Sequence, residues 1–366
     1  MSTPSNPALL APVPSTRLGA PAGQPLTQVT PAGPDPGRLD FLGRLPIPLR
    51  RPFKAGLDRT VAAHRADRGE SLDCCFLSGA EWYHPFDGLA SAPGADALPG
   101  MLVTTLYHDI LDPGLLAHYT PARPRPRPAC HPACDAGGLL DPLDAFRTFG
   151  IIPFVFLVDE RRLKGRPVPR VWSDLLDPRW ADDILFGGWR PNERVPYQDY
   201  NSYLLLCLGH AFGTTGLAAF AANVRHLQHN IRTATQAGSN SHGGAAVAIL
   251  PWLQAVLCPR RDRTRVVWPE DGALAMPIGY LVKPDAEPRV APLIDYVSGT
   301  DWGAVLSRNC YPPINPAVPN AYPPGARLRW PGWDWCRGHD LAAETARASR
   351  IFFDAWYQRH EVRACS

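Results

Sequence analysis

Four groups of side chains in this sequence have types and spacings that chemistry can use. Cys130-His-Pro-Ala-Cys134 places two thiols around an imidazole. Thiolate and imidazole are both good zinc ligands, so the run reads as a metal half-site, a loop bridge or free thiols. No second cysteine or histidine pair stands at comparable spacing, so neither a complete metal site nor a cofactor is expected. Glu270 and Asp271 are adjacent carboxylates that can neutralise a cationic solute or hold a hard cation, or else cap Gly272 and pair with arginine. The loop Ser239-Asn-Ser-His-Gly-Gly244 joins backbone freedom to four polar side chains, which suits a compact polar ligand and equally a plain turn. Trp302, Trp330, Trp333 and Trp335 can stack on a planar or cationic solute, or close a core. No nucleophile with its base, no phosphate loop and no metal quartet can be read, so catalysis is not the first expectation.

The elements that must position these groups are bounded by composition. A chain of 366 residues, 45% hydrophobic, can bury a large core, and its length suggests two domains or one two-lobed unit. The net charge of +3 is close to neutral and lysine occurs only at 54, 164 and 283. Nucleic-acid binding calls for a concentrated basic stripe with interleaved aromatics, which is absent. The nine cysteines are odd in number and lack the dense spacing of a stapled scaffold, so they set no redox compartment. The start shows no basic stretch followed by an apolar run, and no window reaches the roughly 18–20 apolar residues of a membrane span. On this reading the chain is cytoplasmic as encoded.

Residues 1–45, rich in Pro, Ala, Gly, Ser and Thr without periodicity, read as a disordered Pro-rich arm. Alternating prolines in 120–129 favour an extended polyproline stretch whose arginines are solvated or meet an acidic partner. A helical pattern covers 55–68. Residues 71–77 read as a short buried strand, and Ser78-Gly-Ala-Glu-Trp82 as a strand-to-helix turn. Residues 101–106 form a second strand, followed by the polar group Tyr107-His-Asp109 and a helix around 113–119. The continuous apolar run 149–158 is expected of a strand covered on both faces. In 167–186, prolines rule out an early helix, Ser173 can cap one helical turn that Asp177-Pro178 ends, and Ile184 opens a strand. Pro196-Tyr-Gln-Asp-Tyr-Asn-Ser202 leads into an apolar helix over 203–212, which Gly213-Thr-Thr-Gly216 breaks before a second helix over 217–227. Residues 245–250 read as a strand, 266–283 as two strands around a turn, and 292–296 as the start of a helix. Alternating strands and helices are the pattern of an α/β sheet protein.

Gly150-Ile-Ile-Pro-Phe-Val-Phe, Trp172-Ser-Asp-Leu-Leu-Asp-Pro178, Gly243-Gly-Ala-Ala-Val-Ala and Asp271-Gly-Ala-Leu-Ala-Met-Pro277 resemble, in this order, the periplasmic-binding-protein fold of type II. That is the family of ABC-transporter substrate-binding proteins with iron(III)- and polyamine-binding members, and the resemblance covers about residues 70–357. It implies an α/β, two-lobed type II fold with two hinge crossings, near 148–158 and 270–282. Lobe 1 would comprise 46–150 and 283–366 with carboxyl-terminal helices, and lobe 2 would comprise 151–282. In this frame Ser78, Gly79, Glu81 and Trp82 follow the first strand, at the sheet end where α/β proteins bind ligands. Tyr107, with His108 and Asp109, follows the next strand and would face the same cleft. Tyr197, Tyr200 and Asn201, with Gln198, precede the lobe-2 helix. Ser239, Asn240 and Ser241 would close from the opposite side, with Glu270 at the second crossing and Asp271 in a structural role. The adjacent tyrosine pair typical of many iron(III) binders is absent, since Tyr197 and Tyr200 stand three apart.

The function implied is a monomeric, non-enzymatic solute-binding protein that captures a small polar or charged ligand between its lobes for an ABC permease, in the periplasm or cell envelope. Nucleic-acid partners, cofactors and resident metals are not expected. The alternatives are an enzyme on the same fold, with Asp109, His108 or Glu270 as acid or base, and a cytoplasmic sensor or scaffold.

Overall fold

The computed structural model describes residues 35–77, 86, 88–106, 108–188 and 199–364, without the side chains of 108–109, 199–200 and 360–364. Ten strands form one sheet among these residues: β1 (Phe41–Arg44), β2 (Cys74–Leu77), β3 (Met101–Thr105), β4 (Arg147–Asp159), β5 (Ile184–Gly187), β6 (Val224–Gln228), β7 (Val247–Pro251), β8 (Thr264–Val267), β9 (Ala273–Val282) and β10 (Leu328–Arg329). Their order is β2-β1-β3-β9-β4-β7-β5-β6, with β10 on β9 and β8 on β4. β1 pairs in parallel with β2 and β3, and β5 pairs in parallel with β6 and β7.

The two long strands β4 and β9 join these parallel groups. They pair antiparallel from Arg147↔Tyr280 to Phe154↔Leu274, with a register shift between Thr148 and Gly150. β9 pairs on its other side with β3, and the far half of β4 pairs with β7 and β8. Both strands are continuous apolar runs because they are covered on two faces. Phe154, Phe156 and Val158 enter one core cluster while Val155 and Leu157 enter the other, as strand alternation requires. These are the two crossings of the type II arrangement.

The helices differ from the sequence expectation in instructive ways. α1 (Ile47–Arg68) begins eight residues earlier than its periodic pattern and ends at Gly69 in the left-handed region (φ 70°). The expected disordered arm through residue 45 is corrected at its end: Phe41–Arg44 is a fully buried strand between two neighbours. Four residues carry too little signal by themselves, and pairing on both sides supplies the rest. α2 (Asp199–Asn223) breaks at Gly213 (φ 64°, ψ −167°), as the glycines suggest. The helix expected to continue to 227 instead stops at Asn223, because 224–228 becomes the edge strand β6 beside β5.

By length and hydropathy Asn201–Asn223 is apolar enough to cross a membrane, a correction to the sequence reading. Half of that stretch is buried inside this fold, where α2 packs on the carboxyl-terminal helix Leu341–Ala364. Phe352 meets Phe186 and Phe220 there, and the Trp356 indole donates to the Val224 carbonyl at 2.9 Å. Two further helices, Glu287–Ser298 and Thr300–Arg308, cover the β1 side. Trp302, Trp330 and Trp333 are buried, so three of the four clustered tryptophans close the core.

In 167–186 the helical turn is a 3-10 segment, Trp172–Leu176, and Asp174 rather than Ser173 holds its start by accepting from the Arg170 and Val171 amides. The Trp172 amide donates to Asp271 at 3.2 Å, and its indole donates to the Gly272 carbonyl at 2.9 Å. The segment therefore locks the entry of β9.

Candidate ligand-binding site

Open α/β sheets bind ligands outside the carboxyl ends of their parallel strands. In the β1–β3 group that edge carries Arg44, Thr104 and Thr105, all buried. The Arg44 guanidinium donates from Nε to Thr104 Oγ1 at 3.3 Å and lies over the Phe86 ring, 4.5 Å from its centroid. The Leu106 amide, just past β3, donates to the Pro277 carbonyl at 2.8 Å, which ties this edge to the β9 crossing.

In the β5–β7 group the edge is built around a glycine pair. Gly188 has φ 111°, and a Cβ there would stand 2.9 Å from Asn201; a Cβ on Gly187 would stand 2.5 Å from Asn230 Oδ1. Only glycine lets the two asparagines approach the strand end this closely. Asn201, 3% exposed in the first turn of α2, donates from Nδ2 to the Gly187 carbonyl at 2.9 Å. Tyr203, two residues along, donates its hydroxyl to the Ala275 carbonyl of β9, and burial holds this phenol well above its ordinary pKa. Gln228 Nε2, at the last residue of β6, and Asn230 Oδ1, just past it, are buried polar atoms without a hydrogen-bond partner among the described residues. Such atoms are rare in folded proteins, and a bound group is one way to satisfy them.

Of the residues expected from sequence, Asn201 lies at this edge. Ser78, Gly79, Glu81, Trp82, Tyr107 and Tyr197 lie outside the described residues, as does the Tyr200 side chain. Ser239, Asn240 and Ser241 are not brought to Asn201. Their loop precedes β7, next to the end of β4 and the start of β5, so it sits at the opposite end of the parallel strands. Arginines use its polar groups: Arg161 donates to Asn240 Oδ1 at 3.2 Å and to the Ser239 carbonyl at 3.1 Å, and Arg162 donates to the Ser241 carbonyl at 2.6 Å. Glu270, exposed, is paired with Arg170. Asp271 has the structural role expected, accepting from Trp172 and pairing with Arg329 at 3.0 Å.

Gln228, Asn230 and the glycine pair are not among the candidates read from sequence, where a helix is expected over 217–227 and β6 is not. Gly187-Gly188 directly after an apolar strand was the available signal. The Cys130–Cys134 run is structural here: His131 Nδ1 caps its own short helix by accepting from Ala133 at 3.3 Å, and Cys134 is buried 3.7 Å from the Tyr322 hydroxyl. Among the described residues no three His, Cys, Asp or Glu side chains gather to hold a metal ion.

Residues 106–338 match the family described as bacterial extracellular solute-binding protein. This chain belongs to that family. Membership implies a small ligand and an ABC permease partner, and the family works outside the cytoplasm. No curated protein matches the chain. Among solved structures it is similar to a Bordetella ferric binding protein (14% identity, TM-score 0.58, 86% of this chain and 98% of that one). It is also similar to apo FutA2 of Synechocystis (17%, 0.56, 87% and 99%). AfuA of Actinobacillus pleuropneumoniae with fructose-6-phosphate bound is a third such structure (13%, 0.53, 87% and 98%). At these identities the structures establish the mixed α/β type II fold of this solute-binding protein.

Proposed function

We propose that this family member captures a small hydroxylated solute, neutral or anionic, at the carboxyl edge between β1–β3 and β5–α2, and delivers it to an ABC permease. In this reading the β1–β3 group with helices Glu287–Ser298 and Thr300–Arg308 forms one lobe, the β5–β7 group with the carboxyl-terminal helix Leu341–Ala364 forms the other, and β4 and β9 absorb the hinge rotation between them. The observation that carries the reading is the pair of unsatisfied atoms at the end of β6: an acceptor on Asn230 and a donor on Gln228. A solute with hydroxyl groups can satisfy both, since each hydroxyl donates and accepts.

The ligand's polarity follows from what else stands at the edge. The described side chains there are carboxamides, hydroxyls and the Arg44 guanidinium, with no carboxylate among them. Glu270, the carboxylate that sequence reasoning offers to a cation, already has Arg170. The Arg44 guanidinium at this edge supports a neutral polar or anionic solute. A sugar phosphate, the kind of molecule bound by the Actinobacillus protein, combines both properties.

A thermal-shift panel of sugars, sugar phosphates, organic acids, polyamines and ferric citrate tests this. A binder at a hundredfold excess over its Kd stabilises the fold by about 2.7 kcal/mol. Shifts confined to hydroxylated or anionic members are expected. Shifts confined to polyamines would overturn the polarity argument, and no shift across the panel would overturn solute capture.

A further inference from the structure

A cavity of about 690 Å³ lies against the amino half of β4. That volume is within the range of about 300–1,000 Å³ typical of small-molecule sites. Its walls include Phe149, Tyr280, Ile314, Pro126 of the arginine-proline stretch, and Pro313, which bridges to Gly150. Tyr280 lies three residues along β9 from Pro277, where the Leu106 amide joins the carboxyl edge, which is about 10 Å along an extended strand.

The charges around this cavity are already neutralised within the protein. Arg125 and Arg147 share Glu287, and Arg147 also meets Asp144 at 3.3 Å. Arg127 pairs with Asp135 at 2.7 Å. Asp141 pairs with Arg337 at 2.5 Å and accepts three backbone amides besides. An ion entering here would meet arginines and carboxylates that already hold one another, and so gains less than it would at an unpaired charge, a disadvantage that an uncharged molecule does not share. Aromatic surface does have a partner. The Tyr280 ring has Arg147 over it, 5.6 Å from its centroid, and the proline walls are flat and apolar. The Tyr280 hydroxyl and Ser298 Oγ, 3.3 Å apart at the wall, leave hydrogen-bonding capacity for one polar group.

We infer that this cavity is a second small-molecule site, separate from the solute edge, and that it takes an uncharged aromatic compound bearing a single hydrogen-bonding group. Three probes of one shape and different charge separate the possibilities: 2-naphthol, 2-naphthoate and 2-naphthylmethylammonium, titrated into the full chain by ligand-observed NMR. Saturable binding of 2-naphthol is expected, with the two ions at least tenfold weaker. Ser298→Trp, an exposed position at the mouth, should abolish 2-naphthol binding, while Asn201→Ala at the solute edge should leave it intact. Absence of saturable 2-naphthol binding, or equal binding of an ion, overturns the inference with the unmodified protein alone. Loss of binding in Asn201→Ala but not in Ser298→Trp would reassign the probe to the solute edge.

Discussion

The Tyr203 hydroxyl donates to the Ala275 carbonyl at 2.5 Å, joining the first turns of α2 to the middle of the β9 crossing. Ala275 lies between the part of β9 that pairs with β10 and the part that pairs with β3. Tyr203→Phe keeps the ring and leaves a buried carbonyl without its donor. A loss of about 1–3 kcal/mol is expected, read as a lower urea midpoint at unchanged m-value. An unchanged midpoint would mean that the bond contributes nothing to the fold.

Gly188→Ala and Gly165→Ala make a matched pair. Both glycines have positive φ, 111° and 83°, but a Cβ at 165 meets nothing within 4 Å while one at 188 stands 2.9 Å from Asn201. Backbone strain alone costs about 1–3 kcal/mol. Gly188→Ala is expected to cost at least 1 kcal/mol more than Gly165→Ala. It should also weaken solute binding, which Gly165→Ala leaves alone. Equal costs in urea unfolding would show that Asn201 moves aside freely.

The fold was legible because it rests on long, repetitive signals. The apolar run around 149–158 reads directly as a strand covered on both faces, and the family resemblance implies crossings there and near 270–282, where the two long strands lie. β1 and β6 were not legible. Phe41-Leu-Gly-Arg44 is too short to show periodicity, and 224–228 follows a helix with no proline or glycine to mark the change; both are strands because a partner strand lies alongside. At the site, Asn201 was legible as a polar residue opening an apolar helix. The loop 239–244 looked equally suitable, because composition cannot tell which end of a strand a loop occupies, or that Arg161 and Arg162 already bind its carbonyls.

Stability should fall in alkaline solution. Burial pushes the thiols of Cys74, Cys134 and Cys336 from 9.0 up to about 12, with Asp40 and Asp73 adding to the effect at Cys74. Their folded values lie above the unfolded ones, so the stabilisation is complete below pH 9 and is lost as pH rises towards 12. In that window each thiol adds about 1.4 kcal/mol of destabilisation per pH unit. Urea unfolding between pH 8 and 11 should therefore weaken progressively. Cys336→Ser should reduce the slope by one proton equivalent, and an unaltered slope would show that this thiol ionises freely in the folded state.

Asn201 and Asn240 separate the two possible positions of the solute. Asn201 belongs to the carboxyl edge through its bond to Gly187, whereas Asn240 is held by Arg161 at the other end of the parallel strands. Whichever panel member stabilises the protein should bind at least tenfold more weakly to Asn201→Ala, a loss of about 1.4 kcal/mol or more. Binding to Asn240→Ala should stay within twofold, because removing its carboxamide disturbs only a partly exposed contact to Arg161. Isothermal titration of both variants decides the matter, since the opposite result would move the solute to the 239–244 loop and leave the unsatisfied Asn230 and Gln228 atoms without a ligand to explain them.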